Sequence, residues 1–86
     1  MFRVELTRQA ERAFDGLMRS YPEAAKRVAN ALDRIAAEPH AGIPLKGELK
    51  GLWKYRVGSY RIIYRFEKSR LIVTVIDIGN RKDVYR

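Results

Sequence analysis

The chain has no cysteine, which excludes disulfides, thiolate chemistry and the usual zinc clusters. Histidine is almost as scarce: His40 stands alone, and the ten acidic residues are scattered without ligand spacing. A metal-free protein without a cofactor is therefore expected. No apolar run approaches the ~20 residues that span a bilayer. The start, Met1 to Leu6, alternates like a strand and lacks the apolar stretch of a signal peptide. A cytoplasmic protein with no membrane partner is the expectation. Proline and glycine are also sparse, and two of the three prolines and three of the six glycines fall between residues 39 and 52. That stretch has no clear period and reads as a loop, with Lys46 and Lys50 exposed on it.

What the chain does have is hydrophobic residues and positive charge. Its 86 residues suffice for one domain with one core, so residues 1–86 read as a single domain. The net charge is +8. Residues 1–44 hold seven Lys/Arg against six Asp/Glu, a balance of +1; residues 45–86 hold eleven against four, a balance of +7. Such a one-sided field attracts polyanions, nucleic acid first, with an acidic protein partner or simple solubility as the alternatives.

Phe2, Val4 and Leu6 alternate with Arg3 and Glu5, as in a short strand. Thr7 is a good N-cap, and Ala10, Ala13, Phe14, Leu17 and Met18 then share one helical face, predicting a helix from about Arg8 to Ser20. Pro22 suits the first turn of a second helix carrying Ala25, Val28, Leu32, Ile35 and Ala36, which stops near Glu38-Pro39. Three strands should follow: Trp53 to Val57, Tyr60 to Phe66 and Leu71 to Ile78. The last is apolar on both faces, as in a covered central position. The fold class is α+β, in the order βααβββ, with a helical hairpin packed on a mostly antiparallel sheet.

Gly58-Ser59 fits a two-residue hairpin turn, which pairs Val57 with Tyr60, Arg56 with Arg61 and Lys54 with Ile63. Alternation then turns Trp53, Tyr55, Val57, Tyr60, Ile62 and Tyr64 toward the helices. Lys54, Arg56, Arg61 and Arg65 share the other face with Ile63, and the hairpin places no acid there. Like charges directly opposite repel, so a face built only for folding would interleave acids. Either the arginines splay into solvent and stack on rings, or they form a cationic face for phosphate, which arginine binds bidentately. The tail from Gly79 to Arg86 should emerge near the hairpin's middle, and Val84 and Tyr85 suggest that it docks. His40 sits in the loop away from this face and reads as structural or incidental.

Two stretches, Gly58-Ser59-Tyr60-Arg61-Ile62-Ile63-Tyr64 and Val75-Ile76-Asp77-Ile78-Gly79-Asn80-Arg81-Lys82-Asp83-Val84-Tyr85, resemble the signatures of the RelE/ParE toxin superfamily. The similarity takes in the opening strand, the helix pair, the Pro44-Leu45-Lys46-Gly47 loop and the strand order. It implies a RelE-like fold and a toxin neutralised by a cognate acidic antitoxin. RelE-like members cut mRNA in the ribosomal A site; ParE-like members poison DNA gyrase and lack the nuclease residues. By this resemblance Lys54, Arg61, Arg81 and Tyr85 are the catalytic candidates, and a second family lysine falls on Leu52. Lys46, Lys50, Arg56, Arg65 and Lys82 would bind RNA. Tyr85 would act as base or orient the 2′-hydroxyl, with Lys54 assisting; Arg61 would stabilise the transition state, and Arg81 would supply the leaving-group proton. Two alternatives stay open: a gyrase inhibitor on the same fold, and a non-enzymatic module that binds RNA or the antitoxin.

Overall fold

The computed structural model describes residues 1–80. Strand β1 (Arg3–Leu6) leads into helices α1 (Arg8–Ser20) and α2 (Pro22–Ala37). Strands β2 (Ile43–Pro44), β3 (Trp53–Val57), β4 (Tyr60–Glu67) and β5 (Ile72–Asn80) follow. They form one sheet in the order β1-β5-β4-β3-β2, in which only β1 and β5 run parallel. This is the expected α+β arrangement with one addition. The loop between α2 and β3 holds a two-residue edge strand, β2, flanked by single 3₁₀ turns at Pro39–Ala41 and Gly47–Leu49. A run that short carries no period, so hydrophobic patterning could not reveal it.

Both helices pack on one face of the sheet. Val28 and Ile35 of α2 meet Ile62, Tyr64, Val73 and Val75, all fully buried. Alanines at 10, 24, 25, 31 and 36 let the backbones approach. Burying each Val or Ile contributes roughly 1.5–3 kcal/mol. The hairpin register is as expected, with Val57 opposite Tyr60, Arg56 opposite Arg61 and Lys54 opposite Ile63. Gly58 opens the turn at φ 60°, a conformation a Cβ would oppose.

Strand β5 departs from the expected pattern at both ends and in the middle. Leu71 sits in the left-handed region at φ 53°, so the strand starts at Ile72. Between Ile63↔Asp77 and Tyr64↔Val75 the register slips, leaving Ile76 as an extra residue in a bulge. The bulge inverts the alternation, so Val73, Val75 and Ile78 all enter the core while Asp77 and Gly79 turn to the opposite face. Ile72, on the opposite face, is buried as well, so β5 carries covered apolar residues on both faces. Beyond Ile78 the strand continues to Asn80, which pairs with Tyr60. The tail beyond Asn80, expected near the hairpin's middle, lies outside the described residues.

Thr7 ties the bulge to the first helix. Its hydroxyl accepts from the Ala10 amide (3.2 Å), capping α1, and donates to the Ile76 carbonyl (2.8 Å). Thr7→Val keeps the shape and removes both bonds. It is expected to cost about 1–2 kcal/mol, read as a thermal midpoint lower by roughly 4–16 °C.

Candidate nucleic-acid interface

The sheet face away from the helices carries the candidate side chains. Lys54 and Arg56 come from β3, and Arg61 and Arg65 from β4. Ile63 lies among them, flanked across the strands by Lys54 and Asp77. Lys54 is half-buried, while Arg56 and Arg65 are exposed. Among the described residues only Arg3–Glu5 and Arg70–Glu67 form ion pairs, both on exposed side chains. Lys54, Arg56 and Arg65 thus form no ion pair with any described residue.

Arg61 corrects the picture of splayed arginines. It is 5% exposed, the only buried charged residue among those described, and its Nη1 donates to the Asn80 carbonyl at 3.3 Å. Two features make room for it. Its partner on β5 is Gly79, which has no side chain, and β5 runs past Ile78 to bring the Asn80 carbonyl within reach. The two-residue turn makes Val57↔Tyr60 the hydrogen-bonded pair, so Arg56↔Arg61 is a non-hydrogen-bonded pair with Cα atoms about 4.5 Å apart. Repulsion at that spacing is relieved by divergence: Arg56 extends into water and Arg61 turns along the sheet toward Asn80.

The face is not free of acid, as the hairpin alone suggested. The β5 bulge delivers Asp77 to it, with Oδ2 3.8 Å from where a Cβ on Gly79 would stand. Asp77 is the site residue that strand alternation missed. Its one trace in the sequence is an acid placed between two isoleucines.

Lys46 and Lys50 flank the 3₁₀ turn that joins β2 to β3. They are exposed at the end of β3 away from the Arg56–Arg61 pair, so the fold does not gather them into the same cluster. Arg81, Lys82 and Tyr85 lie outside the described residues. His40 stays away from the basic face, its ring edge-on to Trp53 (5.3 Å) and Phe66 (5.0 Å).

Beneath the basic face, Tyr64 fixes the loop that leads to β2. Its hydroxyl donates to the Pro39 carbonyl and accepts from the Gly42 amide (3.1 Å). Burial pushes the phenol above its ordinary value near 10, partly offset by the Gly42 bond. A phenol raised on folding adds stability below the unfolded value, and that part is lost as pH rises above it. Tyr64→Phe is therefore expected to cost about 1–2 kcal/mol at neutral pH. It should also flatten the fall in urea midpoint above pH 10.

The chain matches the family model for the ParE toxin of type II toxin–antitoxin systems over residues 4–85. It belongs to that family. Toxin RelG of Mycobacterium tuberculosis is 35% identical over 57 residues, 65% of this chain and 66% of RelG. Toxin RelE of the same organism is 39% identical over 49 residues, covering 56% of this chain and 50% of RelE. The toxin fold is also seen in the crystal structure of the RelBE2 toxin–antitoxin complex from M. tuberculosis, with a TM-score of 0.82 and 29% identity over 93% of this chain and 98% of that one. The intact Escherichia coli RelBE complex shares the fold at a TM-score of 0.78 and 17% identity, with both chains fully covered. This toxin therefore has a RelE-like architecture, with the basic sheet face and the helical hairpin on opposite sides.

Proposed function

We propose that this toxin is an mRNA endonuclease that cuts the message on the ribosome, with the basic sheet face as its active surface. The observation that carries this reading is Arg61, a buried guanidinium fixed between Gly79 and the Asn80 carbonyl. A cation held rigid in advance stabilises developing charge without reorganising at the moment of reaction.

The chemistry asks for little else. The 2′-hydroxyl attacks the adjacent phosphorus, the bond to the 5′-oxygen breaks, and the products are a 2′,3′-cyclic phosphate and a 5′-hydroxyl. Arg61 neutralises the dianionic transition state. Tyr85 takes or orients the 2′-hydroxyl proton with Lys54 assisting, and Arg81 serves the leaving oxygen. Arg56 and Arg65, with Lys46, Lys50 and Lys82, hold the neighbouring phosphates. No cofactor enters the scheme. Without an ideal acid or base, rate depends on orientation, which the ribosome supplies. The place of action is then the cytoplasm, and residues 1–86 act as one domain.

A cognate acidic antitoxin restrains the toxin. Its amphipathic helix fits the groove between α1 and α2, about 400 Å³ of mainly apolar space lined by Phe14, Met18 and Ala29, with Lys26 there to meet an acid. That structural neighbours are toxin–antitoxin complexes agrees with such a partner. A second reading, gyrase poisoning, is favoured by the name of the matching family.

One pair of assays separates the two. The toxin is added to ribosomes paused on a defined mRNA, and in parallel to a gyrase supercoiling reaction. Cuts within the A-site codon with supercoiling intact are expected. An intact message with gyrase blocked would overturn the nuclease reading, and both unaffected would leave a non-enzymatic binding module.

A further inference from the structure

We propose that the cleft where β2 ends against β3 holds a single unstacked RNA base. This rests on the RNA reading above and names the subsite that the reading leaves open. Strand β2 pairs with β3 only through Pro44↔Trp53 and Ile43↔Lys54. Past Ile43 the chain turns away into Gly42 and Ala41, so β3 has an open edge from Tyr55 onward.

Backbone direction decides what that edge offers. Because Val57↔Tyr60 closes a two-residue turn, it is a hydrogen-bonded pair, and Arg56↔Arg61 is not. The Arg56 N–H and C=O therefore point away from β4, toward the side that β2 has vacated. No described residue bonds to them there. An adjacent donor and acceptor at an open edge match the Watson–Crick edge of a splayed base, which also pairs one donor with one acceptor.

The cleft measures about 220 Å³ and is lined by Ala41, Gly42, Ile43, Lys54, Tyr55 and Arg56, with mostly apolar walls. That is below the roughly 300–1,000 Å³ of pockets that engulf drug-sized ligands, and suits one ring system. Ile43, 60% exposed, forms an apolar wall beside Lys54. The ammonium of Lys54 and the guanidinium of Arg56 supply the charge that a phosphate attached to the base requires. Apolar walls, one donor–acceptor pair and two cations together describe a nucleotide better than an extended peptide. A peptide would need several free backbone groups in a row.

The test titrates the full ¹⁵N-labelled toxin with each of the four nucleoside 5′-monophosphates and with ribose 5-phosphate. The Arg56 and Gly42 amides are expected to shift with at least one nucleotide. That nucleotide should bind about tenfold tighter than the sugar phosphate, the worth of two hydrogen bonds. Ala41→Phe, which fills the cleft, and Ile43→Ala, which removes an exposed wall, should each erase that preference while sugar-phosphate binding persists. Equal binding of nucleotides and sugar phosphate would overturn the proposal. So would an Arg56 amide that stays still with all four nucleotides. Binding is read without ribosomes, so the two ideas fail separately. A toxin that binds the base but cuts no message sinks the nuclease reading alone; one that cuts but shows no base preference sinks the subsite alone.

Discussion

Arg61→Ala is expected to lower cutting of ribosome-bound mRNA by about 10²–10³-fold, the usual loss when one preorganised transition-state donor is removed. The side chain is buried, so its removal also leaves a hole next to Gly79. Folding must therefore be controlled, and Arg61→Lys does so. Lysine keeps the charge and most of the bulk but loses the planar fork, so activity should fall to an intermediate level. Wild-type cutting by a folded Arg61→Ala would remove Arg61 from the chemistry. Equal losses in both variants would show that guanidinium geometry, and not charge alone, is required.

The second large effect concerns a residue with no chemistry of its own. A Cβ on Gly42 would stand 2.5 Å from the Tyr64 hydroxyl and 2.7 Å from the Lys54 carbonyl oxygen. Its backbone, at φ −83°, would suit any residue, so the constraint is space and not conformation. Gly42→Ala must push either the Tyr64 hydroxyl off its two bonds or β3 out of line at Lys54. A cost of about 2–4 kcal/mol follows from overpacking plus the disturbed hydrogen bonds. The thermal midpoint should drop by roughly 8–32 °C. Cutting measured well below that midpoint should fall too, because Lys54 is carried on the displaced backbone. A midpoint within a degree or two of wild type would mean that the loop yields freely.

Much of this site could be read from the sequence because strand alternation and a two-residue turn are short-range rules. Once Gly58-Ser59 is placed in the turn, the company of Lys54, Arg56, Arg61 and Arg65 on one face follows, as does the Arg56–Arg61 opposition. What stayed hidden depends on a single inserted residue. The bulge at Ile76 is set by the Thr7 hydroxyl, 69 positions away, and no local pattern reports it. Through that bulge Asp77 reaches the basic face, Ile78 reaches the core, and Gly79 comes to lie opposite Arg61. The burial of Arg61 was illegible for the same reason, since it follows from Gly79 lying opposite and the Asn80 carbonyl coming within reach. The edge strand β2 escaped notice because two residues cannot display a period. Its position depends instead on the long-range contact between Tyr64 and Gly42.

The central claim is that this face directs attack by a ribose 2′-hydroxyl on ribosome-bound mRNA. It is tested most directly by pausing ribosomes on two messages that differ only in a 2′-deoxy sugar at the nucleotide preceding the cut. The account predicts cutting of the all-ribose message, with a 2′,3′-cyclic phosphate end, and none at the deoxy position. Equal cutting of both messages would contradict it.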